Sequence, residues 1–151
     1  MTSVPEWNAT AAQITSWALE PATRSLGLAE ALGGLGQRLL AAGVPVRRMR
    51  TSVTTKHPEL FVRAVMWHAE RGTDVRDGKR ELLVTATFLG SPVARVRAGA
   101  SRIRCRLTGP DADLSFAICG ELAAEGLTDY AVYPLLFGTG ERTYFSFATD
   151  A

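Results

Sequence analysis

The sequence predicts an α+β domain, an antiparallel sheet covered by helices, and three observations carry that reading. Leucines recur at helical spacing before residue 43, side chains alternate between two faces from Val46 onward, and two β-rich runs joined by a glycine-containing turn close the chain. Helices followed by short strands with tight turns favour an antiparallel sheet over a parallel one.

The first helix is predicted from Asn8 to Glu20, capped at Asn8 or Thr10, with Ile14, Trp17 and Ala18 at helical spacing and Pro21 ending it. A second runs from about Ser25 to Ala42. Leu28, Leu32, Leu35 and Leu39 form one face, Gly43 suits the left-handed position after the last turn, and Pro45 blocks continuation. Gly33, Gly34 and Gly36 weaken its middle, each by about 1 kcal/mol relative to alanine. Close approach of a neighbour explains them better than a phosphate loop, because no lysine and Ser/Thr pair follows.

From Val46 the period becomes two. Met49, Thr51, Val53 and Thr55 lie on one side of a strand, with Arg48, Arg50, Ser52 and Thr54 on the other. After His57-Pro58-Glu59 the alternation resumes through Phe61, Val65 and Trp67, and it fades in the charged stretch Glu70 to Arg80, read as a surface loop. Glu81 to Leu89 is β-rich, although its first half tolerates a helix. Ser91-Pro92 opens a short helix to Ala98, closed by Gly99. Arg102, Arg104 and Arg106 then alternate with Ile103, Cys105 and Leu107 as a half-buried strand with a basic outer face. A helix capped by Asp113 follows from about Leu114 to Glu125, and strands Tyr130 to Phe137 and Arg142 to Ala148 finish the chain.

With 151 residues, 46% of them hydrophobic, the chain suits a single domain, residues 1–151, with one continuous core. No apolar stretch is long enough to span a bilayer and no signal-like segment opens the sequence, so a cytoplasmic protein is expected. A net charge of +2, from seventeen basic and fifteen acidic side chains, gives no strong phosphate-seeking field. The stripe Arg102, Arg104, Arg106 lacks interleaved aromatics, which argues against nucleic acid as a partner. Two histidines and two cysteines, with no Cys-x-x-Cys pair, argue against zinc. No Gly-x-Ser-x-Gly elbow is present, and Cys105 between Ile103 and Leu107 reads as a small core residue rather than a nucleophile. The composition therefore points to a domain that catalyses nothing by itself.

Several short motifs occur in a recognisable order. They are Leu39-Leu40-Ala41-Ala42-Gly43-Val44-Pro45-Val46-Arg47-Arg48, Thr55-Lys56-His57-Pro58, Trp67, Ser91-Pro92, Arg104-Cys105-Arg106-Leu107, Thr128-Asp129-Tyr130 with Tyr133-Pro134-Leu135, and Ser146-Phe147-Ala148-Thr149-Asp150. Over about residues 15 to 150 this order resembles the N-terminal region that precedes the catalytic domain in many bacterial class III adenylate/guanylate cyclases, a region similar to a GAF domain. The resemblance implies a GAF-like sheet of about six strands flanked by helices, used for small-ligand sensing and dimerisation in cyclic-nucleotide signalling. It implies a C-terminal cyclase domain in a longer parent protein, one that this chain lacks, and it identifies neither a ligand nor a cofactor.

On that reading a pocket would lie between the sheet and its helix-and-loop cover. Trp67, Phe88, Arg104, Tyr130 and Tyr133 are its candidate lining, with His57 near an edge. The competing expectation is a structural homodimer in which the two N-terminal helices pair across a twofold axis without any ligand.

Overall fold

The computed structural model describes residues 4–56 and 60–151, without the side chains of residues 4 and 5. Three helical segments come first: α1 Val4–Leu19, the single turn α2 Pro21–Arg24, and α3 Leu28–Ala41. Pro21 thus opens a new turn as well as ending α1, and α1 starts earlier than either predicted cap. Helix α3 starts at Leu28 rather than Ser25 because Glu30 reaches back to accept from the Gly27 N–H at 3.0 Å, fixing Gly27 as its cap.

Strands β1 Val46–Thr54, β2 Val62–His68 and β3 Gly72–Gly78 form consecutive antiparallel pairs. The 3-10 turn Arg80–Val84 and helices α4 Ala86–Leu89 and α5 Pro92–Arg97 lead to β4 Ile103–Arg106, α6 Ala117–Ala124, and the hairpin β5 Asp129–Leu136 and β6 Arg142–Thr149. The six strands make one antiparallel sheet of order β3-β2-β1-β6-β5-β4. The fold is the α+β arrangement expected, a six-stranded antiparallel sheet flanked by helices. The central pair β1 and β6 joins the two halves of the chain, with Met49 opposite Phe147 and Thr51 opposite Phe145.

Two assignments change. The stretch expected to be a surface loop contains β3, an edge strand in which only Gly78 is buried, so it carries charges where a buried strand would carry an apolar alternation. Asp77 pairs with Arg63 across the ladder at 2.8 Å and Asp74 with Arg76 along the strand at 2.9 Å. Gly72, with φ of +77°, makes the tight turn from β2 possible. Glu81 to Leu89 is not a strand. Thr85 caps α4 by accepting from the Phe88 N–H, and the segment folds as two short turns over the sheet. Asp113 makes its predicted local contact, accepting from the Ser115 N–H at 3.0 Å, but α6 itself begins only at Ala117.

Each face of the sheet builds its own apolar cluster. On one face α3 lays Leu32 onto Val46, Met49, Val65 and Trp67. On the other, α5 and α6 cover Cys105, Tyr130, Val132, Tyr144 and Ala148 with Val96, Phe116, Cys119 and Leu122. Two of the glycines of α3 are explained by indole rings: a Cβ at Gly36 would overlap the buried Trp67 ring, and one at Gly34 would fall 2.8 Å from Trp17 Cζ2. Gly36→Ala should therefore lower stability by about 1–3 kcal/mol despite its better helix propensity, because a closely packed ring cannot retreat. Urea denaturation checks this. An unchanged or raised midpoint would mean that the indole has room to move.

Candidate functional site

The face of the sheet under α5 and α6 is only partly filled. A cavity of about 560 Å³ lies between β1, β2, β5 and β6 below and the segment from Leu82 to Arg97 with α6 above. The alternation of β1 decides what its floor presents: Arg48, Arg50 and Ser52 point into it because Met49 and Thr51 point to the α3 side. Tyr144 and Ser146 of β6 and Tyr130 of β5 complete the polar part of the floor. Val62, Ala64, Leu82, Phe88, Pro92 and Ile118 give the rest an apolar surface. Ser91 starts α5 by accepting from the Ala94 N–H at 3.2 Å. Arg142 then ties the end of that helix region to β6, donating to the carbonyls of Val96 at 2.7 Å and Ala100 at 2.8 Å. The roof is thereby anchored at its α5 end.

The charge arrangement is uneven. Among the described residues, Arg48, Arg50 and Arg97 face the cavity against one carboxylate, Glu121, which is exposed on α6. Arg48 lies 3.7 Å from Glu125. Arg50 has no such partner among the described residues, and its Nε is buried without a hydrogen-bond acceptor. Burial pushes the Tyr130 phenol up to about 12, opposed by a hydrogen bond with Ser146 and by the charges of Arg50 and Arg48. Burial also raises Tyr144, against the same arginines and a hydrogen bond with Ser52. Both phenols are therefore neutral donors at ordinary pH.

Of the six residues the sequence nominated, Phe88 and Tyr130 line this cavity. Trp67, Arg104 and Tyr133 lie on the opposite face of the sheet, which corrects their assignment to one pocket. Trp67 is 1% exposed beneath α3. Arg104 pairs with Asp129 at 2.7 Å, and Tyr133 packs edge-on against Phe147 with ring centroids 6.2 Å apart. His57 lies outside the described residues. The sequence missed Arg48, Arg50, Ser52, Tyr144 and Ser146, although it had already placed Arg48, Arg50 and Ser52 together on one side of a strand.

A second, more polar cavity of about 540 Å³ lies at the end of the sheet near Arg47, His68, Arg71, Glu125 and Asp150. His68 is half-buried; burial first, then Arg71 and Arg48, hold its pKa below the ordinary histidine value. Cys105 and Cys119 are buried free thiols, and burial together with the hydrogen bond from Cys105 pushes Cys119 up to about 12. A thiol so strongly protonated is a poor nucleophile. Among the described residues, no group of three or more His, Cys, Asp or Glu side chains could hold a metal, and no helix is long and apolar enough to cross a membrane.

Fold and cavity together define a class: an α+β domain with a six-stranded antiparallel sheet and a basic-floored pocket under one set of helices. No family model matches the chain, and no curated protein matches it either. Among solved structures, the extracellular domain of a protein described as histidine kinase soHK1S-Z6 aligns with a TM-score of 0.48 and 8% identity, covering 94% of this chain and 51% of that one. The chain thus spans about half the length of that structure. The cyclase-region resemblance rests on the order of motifs in the sequence.

Proposed function

We propose that this domain is a non-catalytic sensory or regulatory module that binds a small molecule in the cavity under α5 and α6. The observation that carries the reading is the cavity itself, whose 560 Å³ falls within the range of small-molecule sites and whose mainly apolar wall is interrupted by a few convergent polar groups. Beside α6, its roof is built from two short turns and a short helix, elements whose packing a ligand can bias. A ligand acts only through different affinities for two states of the domain, and the bias passes to an attached or partner catalytic unit. In keeping with the motif order, we take that unit to be a nucleotidyl cyclase and the compartment to be the cytoplasm.

Thermal unfolding against a panel of metabolites and cyclic nucleotides tests this reading. A true ligand at about a hundred times its Kd should raise Tm by roughly 5–10 °C. Failure of every compound to stabilise the domain would sink the proposal.

A second reading, homodimerisation, is favoured by the opposite face. There Tyr133 is 39% exposed and lies beside the partly buried Phe145 and Phe147, and the helix on that side, α3, packs against β1, β2 and β3. A twofold contact through this surface would bury it without touching the cavity.

A further inference from the structure

A guanidinium in an apolar cavity is costly unless its donors are satisfied. Arg48 has Glu125 at 3.7 Å, but the Nε of Arg50 is enclosed and donates to nothing. Arg50 also lies where the floor is richest in further donors, among Tyr130, Tyr144 and Ser146, with Arg97 contributing another guanidinium to the same space. Among the described residues no buried carboxylate lines the cavity beside them, since Glu121 is exposed. The remaining wall, formed by Phe88, Leu82, Ile118 and Val62, offers hydrogen bonds to nothing and rewards only apolar surface.

Resting on the ligand-binding reading above, we propose that the cavity takes an amphipathic organic anion, its oxyanion head gripped by Arg50 and Arg97 and its apolar body against Phe88, Leu82 and Ile118. The planar fork of arginine suits either a carboxylate or a phosphate head, and the charge-assisted bonds gain strength in a site shielded from water. The tyrosine hydroxyls add neutral donors to the same head. The apolar wall selects for the body of the ligand, so a free inorganic anion would use only part of the site.

Calorimetric titration of the full chain with decanoate, decyl phosphate and the uncharged decanamide, each below its micellar concentration, tests the inference. At least one of the two anions should bind about tenfold or more tightly than the amide, and which anion does so identifies the head group. Arg50→Gln, shown folded by circular dichroism, should reduce that preference by weakening anion binding more than amide binding. Should Arg50→Gln not fold, Arg97→Gln is expected to reduce the preference in the same direction. Equal binding of amide and anions would overturn the charge inference and leave the sensory reading standing. Absence of binding by all three overturns it as well, and the sensory reading falls with it only if the metabolite panel also yields no stabilising compound.

Discussion

Replacing Trp67 with alanine is expected to lower the stability of the domain by about 3–5 kcal/mol, as truncation of a fully buried large aromatic does. The indole is 1% exposed and completes the cluster of Leu32, Val46, Met49 and Val65, and the chain has placed Gly36 in the middle of a helix to admit it. Against a total of about 5–15 kcal/mol for an ordinary domain, that loss leaves little or no margin. Urea unfolding should show a sharply lowered midpoint or no native baseline. Because Trp67 faces away from the cavity, the milder Trp67→Phe variant, if folded, should retain whatever ligand affinity the wild type has. A selective loss of binding in a fully stable Trp67→Phe protein would reverse this assignment and return the ring to the pocket.

The faces of the sheet were legible from alternation, but the sequence could not say which face would hold the pocket. Met49 and Val65 alternate onto the core side of their strands, and Trp67, in register with Val65, is core rather than pocket wall. Arg104 and Tyr133 looked like pocket lining because they stand near sequence motifs, yet their strand neighbours Cys105 and Val132 occupy the cavity side and force them to the other one. Arg50 went unnoticed for a related reason. An arginine on the polar side of a strand reads as solvated surface until a covering element is known, and the cover is the Glu81 to Leu89 stretch that was expected to be β-rich. That stretch has strand-like residues, but β3 already completes the sheet edge beside β2, and the Thr85 cap with Gly90 behind it divides the run into short turns. The edge strand β3 escaped because exposed strands are written in charges, here Asp74, Arg76 and Asp77, and periodicity in hydrophobicity vanishes where nothing is buried.

Leu32→Arg separates the two roles that the leucine stripe of α3 could have had. Were the stripe a dimer seam, the charge would yield a folded monomer. Leu32 is instead 3% exposed against Met49, Val65 and Trp67 within the same chain. The variant loses a buried leucine and encloses a guanidinium with no acceptor among its neighbours, a combined cost of roughly 5 kcal/mol or more. Circular dichroism should show an unfolded chain, and a cooperative, well-folded variant would contradict the packing of α3. Leu32 thus serves the core of its own chain, and a dimer that leaves this core intact would use other surface, such as the sheet around Tyr133. Tyr133→Arg probes that surface at little cost to the core, since the ring is already 39% exposed. Sedimentation of the wild type as a dimer and of folded Tyr133→Arg as a monomer would place the contact on the open half of the sheet. A monomeric wild type at high concentration would remove the dimer reading and leave the cavity as the domain's functional feature.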